Sequence, residues 1–265
     1  MNFSQKLQQA WEKSGAGLCV GLDPLPGRIP EVFFKSPRPF LAFNKHVIDT
    51  VGDLVCAFKP QAAHHGAEAA EDDLAETIAY IRARTPHAIA LLDAKRGDIG
   101  STAEMYAREA FDRYDADAVT VNPYLGDDGI LPFLGRADRA AVILCRTSNP
   151  SAALVQNALI DGETLYETIA RRAESHWNAL DNVMLVVGGT HIEDLTKVRA
   201  AAPTLPFLVP GIGEQGGSGR DVMRVGRRAS DGRGLVVSAS RSVLFAGDEA
   251  QIRAAAEAVY ADLVN

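Results

Sequence analysis

The chain has 265 residues, of which 47% are hydrophobic and 23% are charged, and its formal net charge is −7 at pH 7. This length and apolar content allow one large α/β domain or two small ones. The acidic balance argues against a nucleic-acid-binding surface, which needs a basic face, but it permits an anionic small ligand where cations converge. No apolar stretch is as long as a membrane span, and residues 1–14 lack the core of a signal peptide, so we expect a cytoplasmic protein with no membrane partner.

The cysteines and histidines give no sign of a metal site. Cys19, Cys56 and Cys145 each lie in an apolar run, which favours buried, reduced thiols in a cytosolic protein. Their spacing matches no zinc pattern. His64 and His65 make a poor metal pair, because the side chains of adjacent residues diverge.

Short apolar runs bounded by turn residues alternate along the chain with longer segments of helical period. Eight runs are predicted to be strands: Leu18–Leu22, Leu54–Phe58, Ala88–Leu92, Ala118–Val121, Ala141–Cys145, Val183–Val187, Pro206–Val209 and Gly234–Val237. Helices are predicted at Phe40–Val51, Asp73–Arg84, Ala103–Tyr114, Glu163–Ala179, Ile192–Ala201 and Glu249–Leu263. Eight βα units in about 250 residues predict an α/β fold, a (β/α)8 TIM barrel forming a single domain over residues 1–265. A doubly wound parallel sheet is the main alternative.

The residues that follow each predicted strand bear on function, because barrel enzymes build their sites at the carboxyl ends of the strands. In chain order they are Asp23; Lys59; Asp93 and Lys95; Asn122; Arg146–Ser148; Gly188–Thr190; Pro210 and Gly211; and Ser238–Arg241. If the sheet closes into a barrel, these residues are expected to ring a single opening.

The third predicted strand is followed by the densest group of ionisable residues, within Asp93–Asp98. We predict that this group lies in a strand-to-helix turn, because Ser101 and Glu104 form a capping-box pattern. Charges at such a spacing are ordinarily solvated loop charges, and Lys59 could equally extend from a strand end into water. Together, however, Lys59, Asp93, Lys95 and Asp98 form a Lys-Asp-Lys-Asp set. The two lysines allow both carboxylates to stay ionised.

The segment Gly211–Gly216 matches the G-x-G-x-x-G pattern of dinucleotide-binding loops. It follows the seventh predicted strand rather than the first, and no acidic residue ends a strand about 20 positions later, so the dinucleotide interpretation is weak. A loop whose amides and Gln215 close over a phosphate fits better. Arg241, after the eighth strand, would form the other half of the phosphate cradle.

Six motifs, in this order, resemble those of the orotidine 5′-phosphate decarboxylase family, in its longer bacterial branch. They are Gly21–Pro24, Phe58–Gln61, Asp93–Thr102, Thr147–Pro150, Pro210–Gly217 and Ser240–Arg241, and they extend over nearly the whole chain. The resemblance implies a lyase that converts orotidine 5′-monophosphate to uridine 5′-monophosphate, the last step of de novo pyrimidine nucleotide synthesis. It implies no metal and no organic cofactor, and it implies a homodimer.

The resemblance also implies roles for single residues. Lys95 would be the general acid that protonates C6 of the pyrimidine, Asp93 would crowd the departing carboxylate, and Lys59 would bind the ribose and orient Asp93. Asp98 and Thr102 would reach across a dimer interface into the partner's site. The other implied substrate contacts are Asp23 at a ribose hydroxyl, Ser148 and Pro210 at the base, Gln215 at base and phosphate, Arg241 at the phosphate, and Ser240 beside it.

Three other functions remain open from the sequence. A metal-dependent sugar-phosphate decarboxylase would share the D-x-K-x-x-D spacing, but it would want a carboxylate where Lys59 stands. Schiff-base aldolase chemistry needs a lysine of lowered pKa, whereas Asp93 and Asp98 on either side of Lys95 act in the opposite direction. A phosphate-binding barrel without catalysis would keep the cradle, but the intact charge set argues against it.

Overall fold

In a computed structural model, which describes residues 1–212 and 217–264, eight parallel strands close into a barrel. The strands are β1 (Leu18–Leu22), β2 (Ala57–Pro60), β3 (Ile89–Arg96), β4 (Ala118–Val121), β5 (Ala140–Arg146), β6 (Val183–Val187), β7 (Phe207–Pro210) and β8 (Leu235–Ala239). They follow one another around the barrel in chain order, and β8 pairs with β1 to close it. The predicted (β/α)8 architecture is confirmed, and the doubly wound alternative is wrong.

Helices connect the strands around the outside of the barrel. They are α1 (Phe3–Ser14), α2 (Pro39–Val51), α3 (Ala62–Gly66), α4 (Glu71–Arg84), α5 (Gly100–Arg108), α6 (Asp127–Leu134), α7 (Ala153–Gln156), α8 (Leu165–Arg172), α9 (Ile192–Ala201), α10 (Gly219–Gly226), α11 (Arg241–Leu244) and α12 (Glu249–Val264). Turns of π-helix at Glu109–Arg113 and Ala173–Trp177 follow α5 and α8, so two helices predicted as continuous each change their hydrogen-bond pattern midway. In the described part of the chain, no helix combines the length and apolarity needed to cross a membrane.

The N-terminal helix α1 closes the amino end of the barrel. Phe3, Leu7 and Trp11 are buried in the same cluster as the side chains that fill the barrel interior. The Trp11 indole N–H donates to the carbonyl oxygen of Leu235, the first residue of β8, at 2.9 Å. Since this end is filled, the opening of the barrel lies at the carboxyl ends of the strands.

Side chains alternate between the barrel interior and the outer helices, as the twofold period of a strand requires. In β3, Ile89 and Leu91 belong to the interior cluster, whereas Ala90 and Leu92 pack against the outer helices. The same alternation carries Asp93 and Lys95 to the inner side at the carboxyl end. The three cysteines are buried and free, as predicted, and burial raises the pKa of Cys19 to about 12.

Five strands (β2, β3, β5, β7 and β8) extend further than predicted at their carboxyl ends, and in β2, β3 and β5 the added residues include charged ones. Lys59 lies within β2, paired in register with Gly21 of β1, and β3 continues to Arg96, so Asp93 and Lys95 lie in the strand rather than in a turn after it. The predicted ends of β2 and β3 were wrong because the last residues of these strands face a polar opening. Their inward side chains are no longer apolar, although their backbone still pairs with the neighbouring strand. The capping box is also wrong, since α5 begins at Gly100 and Ser101 lies inside it.

Candidate active site

A cavity of about 520 Å³ opens at the carboxyl end of the barrel. This is a volume typical of small-molecule sites. Eight residues to which the family resemblance assigned a role line it: Asp23, Lys59, Asp93, Lys95, Ser148, Pro210, Ser240 and Arg241. The twelve other lining residues include Gln61, Thr120 and Gln156. Closure of the barrel therefore brings these eight residues together at the carboxyl ends of the strands.

The Asp93 carboxylate lies at the centre of a set of four donors. Its Oδ1 accepts from Lys95 Nζ at 2.6 Å and from Thr120 Oγ1 at 2.9 Å. Its Oδ2 accepts from Lys59 Nζ at 3.0 Å and from Gln61 Nε2 at 3.1 Å. Burial alone would raise the pKa of Asp93, but the two lysines outweigh it and hold the pKa well below its usual range. Asp93 therefore stays ionised.

Lys59 is a buried cation placed between two carboxylates. Its Nζ lies 3.0 Å from Asp93 Oδ2 and 3.8 Å from Asp23 Oδ1. Burial disfavours the charged amine, yet the attraction of Asp23 and Asp93 exceeds that cost and raises the pKa of Lys59 above its usual value. The buried Asp23 Oδ1 accepts no hydrogen bond from the described residues, so it can accept one from a ligand hydroxyl.

Lys95 reaches the cavity from an unusual backbone conformation. Its φ is +48°, in the left-handed region that non-glycine residues rarely adopt. The register between β3 and β4 shifts between Leu92 and Arg96, so the chain bulges at this point. The side chain is about half exposed (49%), and its Nζ is held at 2.6 Å by Asp93. The bulge thus presents an ion-paired ammonium to the cavity.

Ser240 and Arg241, at the start of α11, line the cavity with Pro210 and Gly211 at the end of β7. Gly21 of β1 lies against this group, where a Cβ would collide with Ser240 Oγ. Gly217 N–H donates to Gly211 O at 3.3 Å. The predicted phosphate contact Gln215 lies outside the described residues.

The loop after β5 carries Ser148 and is held by a side chain that the sequence did not single out. Gln156 Oε1 accepts from Thr147 N–H at 2.9 Å, and Gln156 Nε2 donates to Thr147 Oγ1 at 2.8 Å. Arg146, predicted at the opening, turns outward instead: its Nε donates to Asp194 Oδ2 on α9 at 2.8 Å. A buried guanidinium needs an anionic partner, and here α9 provides it.

Several other predicted residues are absent from the lining formed by the described residues. Asn122 instead accepts from Tyr124 N–H at 3.0 Å and caps a short 3-10 helix. Residues 188–190 are also outside the lining; Gly188 packs against Ser148, and a Cβ on it would lie 3.0 Å from Ser148 Cα. The predicted ring of strand ends was therefore wrong at these positions: the Asn122 side chain caps a local turn, and Gly188 and Gly189 have no side chain to reach the cavity.

Asp98 and Thr102 also lie outside the cavity of their own chain. Asp98 is partly exposed and Thr102, on α5, is exposed. Large apolar side chains are exposed on the neighbouring surface, with Ile99 at 56%, Tyr124 at 81% and Leu125 at 45%. An apolar surface of this kind is typical of a protein contact.

Sequence reasoning missed Gln61 and Thr120 as site residues, although both contact Asp93. The sequence nevertheless contained a signal for each of these two residues. Gln61 stands two positions after Lys59, and Thr120 is the one polar residue of the strand Ala118–Val121. The twofold alternation places Thr120 on the inner face within its own run, and it would have placed Gln61 there if it had been extended past the end of the run Leu54–Phe58.

The chain was compared with known proteins. The model of the family described as "Orotidine 5'-phosphate decarboxylase / HUMPS family" matches residues 17–257. A Cellvibrio japonicus (strain Ueda107) protein named orotidine 5′-phosphate decarboxylase is 50% identical over 261 residues, 98% of this chain and 95% of that protein. One of the same name from Ralstonia pickettii (strain 12J) is 45% identical over 259 residues, with the same two coverages. The solved Leishmania donovani OMP decarboxylase has a TM-score of 0.87 at 38% identity, covering 99% of this chain and 98% of that one.

Proposed function

This chain belongs to the orotidine 5′-phosphate decarboxylase / HUMPS family, and we propose that it decarboxylates orotidine 5′-monophosphate to uridine 5′-monophosphate without a cofactor. The reaction is that of a carboxy-lyase and is the last step of de novo pyrimidine nucleotide synthesis. The observation that carries the proposal is the ionised Asp93, held between the ammonium groups of Lys59 and Lys95 in the cavity. Arg241 lines the same cavity and supplies a cation for the phosphate.

Lys95 is the proton donor in this proposal. When the bond from C6 to the carboxylate breaks, carbon dioxide leaves and the electron pair stays in an sp² orbital at C6, where the ring cannot delocalise it. A fixed ammonium stabilises this developing charge, most strongly where water is excluded. The Lys95 ammonium then transfers a proton to C6, and the resulting amine is reprotonated from solvent.

Asp93 lies beside the departing carboxylate in this arrangement. Its lowered pKa means that it cannot relieve the repulsion by taking up a proton. The repulsion is present in the bound substrate and falls as carbon dioxide becomes neutral, so it favours the transition state over the ground state. Lys59 keeps Asp93 ionised and in place.

The remaining lining residues bind the parts of the substrate that do not react. We propose that Asp23 and Lys59 bind the ribose hydroxyls, Ser148 and Pro210 the base, and Ser240 and Arg241 the phosphate; all six line the cavity. Gln215 is proposed as a further contact to base and phosphate from the glycine-rich segment. Phosphate binding can favour a state of the site in which water is excluded around C6. The binding energy of the phosphate then increases the rate of turnover and not only the affinity for the substrate.

We further propose a homodimer with shared sites. Asp98 and Thr102 lie outside their own cavity and next to the exposed apolar residues Ile99, Tyr124 and Leu125, which a second copy would cover. The three buried free cysteines also fit a cytoplasmic location.

Two alternatives fit the site less well. A metal-dependent sugar-phosphate decarboxylase would place a cation near Asp23 and Asp93, but the Lys59 ammonium already lies within 3.8 Å of both. Schiff-base chemistry would need a free amine, whereas Lys95 is ion-paired with Asp93 at 2.6 Å.

The direct test follows the absorbance of orotidine 5′-monophosphate with purified protein in the presence of a chelator. We expect turnover in chelator, and Lys95→Ala is expected to abolish it while circular dichroism shows a folded protein. A requirement for a divalent metal, or substantial activity of Lys95→Ala, would contradict the proposal.

The shared sites are tested by mixing the inactive Lys95→Ala and Asp98→Ala proteins. Each hybrid dimer would contain one intact site, so random reassortment is expected to restore about one quarter of wild-type activity. No recovery after demonstrated subunit exchange would count against shared sites.

A further inference from the structure

Thr120, in the middle of β4, connects the two central groups of the site through one hydroxyl. Its Oγ1 accepts from the backbone N–H of Ala94 at 3.0 Å and of Lys95 at 2.8 Å. The same hydroxyl donates to Asp93 Oδ1 at 2.9 Å. A hydroxyl has one proton and two lone pairs, so Thr120 uses its full hydrogen-bonding capacity here.

The two amides need this partner because of the bulge in β3. The register between β3 and β4 shifts between Leu92 and Arg96, and Lys95 adopts a φ of +48° within the shift. Such a conformation persists only where the surroundings hold it in place. The Thr120 oxygen accepts from the Ala94 and Lys95 amides within this shift, so both are satisfied by one side chain.

The direction of each hydrogen bond is determined by elimination. An amide N–H can only donate, so both lone pairs of Thr120 Oγ1 are occupied by Ala94 and Lys95. Its proton is then directed at Asp93 Oδ1, which also accepts from Lys95 Nζ at 2.6 Å. One side chain therefore orients the backbone that carries the lysine and the carboxylate that binds its ammonium.

We propose that Thr120 is a positioning residue that holds Asp93 and the Lys95 ammonium in their reacting geometry. The proposal rests on the decarboxylase function proposed above. Thr120 is 1% exposed, and its hydrogen bonds to Asp93 and to the two amides are made by the hydroxyl. A side chain of the same shape without that hydroxyl would therefore keep the packing around residue 120 but would no longer orient Asp93 and Lys95.

The experiment compares three variants. Thr120→Val keeps the shape and removes the hydroxyl, and Thr120→Ser keeps the hydroxyl and removes a methyl group. Thr85→Val is the matched control: Thr85 is also a buried threonine, at 4% exposure, whose hydroxyl donates to Ile81 O at 2.8 Å, but it lies at the end of α4 and does not line the cavity.

For Thr120→Val we expect kcat to fall by about 10- to 100-fold, the range for losing a hydrogen bond to a charged group. The KM for orotidine 5′-monophosphate and the Kd for uridine 5′-monophosphate should change by less than about threefold, since the ribose and phosphate contacts remain. Thr120→Ser should stay within about threefold of wild type in kcat, and Thr85→Val should keep wild-type kcat even if its Tm falls.

Failure of the proposed function is recognised separately, because wild-type protein would then show no turnover. With an active wild type, a kcat of Thr120→Val within about twofold of wild type would overturn the positioning role. Equal losses in Thr120→Ser and Thr120→Val would also overturn it, since the hydroxyl would not be the determinant. Should Thr120→Val fail to fold, Thr120→Ala replaces it in the same comparison with Thr120→Ser.

Discussion

Replacing Lys59 by methionine removes the cation between two carboxylates while keeping a side chain of similar length. Lys59 Nζ lies 3.0 Å from Asp93 Oδ2 and 3.8 Å from Asp23 Oδ1. At an effective dielectric constant of 20 these attractions are about 5.5 and 4.4 kcal/mol, and the desolvation of the ammonium offsets much of them. Removing one partner of a buried pair typically costs about 3–5 kcal/mol. Because Asp93 keeps three other donors, we expect the free energy of unfolding to fall by about 3 kcal/mol at pH 7.

The pH dependence of this loss follows from the direction of the two pKa shifts. The pKa of Asp93 is lowered in the folded protein, so its stabilising contribution is present above the ordinary carboxyl pKa and is lost as pH falls towards the folded value. The pKa of Lys59 is raised, so its contribution is present below the ordinary lysine pKa and is lost as pH rises through the folded value. The difference between wild type and variant should therefore be largest from about pH 5 to 10.

The assay is urea denaturation followed by circular dichroism at pH 7 and pH 3. Lys6→Met is a suitable control, because Lys6 Nζ lies 3.2 Å from Asp117 Oδ1 but Asp117 keeps Arg82 at 3.3 Å and Arg139 at 3.8 Å. We expect that control to lose about 1 kcal/mol or less. The reasoning is refuted if Lys59→Met is as stable as wild type at pH 7, or if its deficit is equally large at pH 3. Greater stability of the variant at pH 7 would refute it as well, because the cost of burying the ammonium would then exceed the attraction of the two carboxylates.

Three further predictions concern other parts of the structure. Gly21→Ala should raise the KM for orotidine 5′-monophosphate by about 10-fold or more in a folded protein, because the new Cβ would displace Ser240, and an unchanged KM would contradict this placement. Arg199→Met should lower the free energy of unfolding by about 3 kcal/mol, measured by urea denaturation, because four backbone carbonyls lose a charged donor; a loss below about 1 kcal/mol would count against it. The three cysteines should not react with a thiol reagent until the protein is denatured, because they are buried and burial raises the pKa of each thiol.

Much of the barrel could be predicted from the sequence because its signals are local. Each of the eight strands overlaps a predicted apolar run, and α9 begins and ends as predicted. The strand ends could be predicted less well. At Lys59 and Asp93 the apolar pattern has already stopped, while pairing with the neighbouring strand continues.

The sequence by itself determined the fold class, the resemblance to one family and the set of ionisable residues at the strand ends. These properties follow from the periodicity of the apolar residues and from the order of the motifs. Both can be recognised along the chain without knowing which residues meet in space. The tertiary structure alone decided that Arg146 turns outward to α9, that Asp93 and Lys95 lie within β3, and that Thr120 supports the bulge. Thr120 and Asp93 are 27 residues apart, so their hydrogen bond depends on the register of two strands and the strained backbone at Lys95. Register is a property of paired strands, and no local pattern in one of them specifies it.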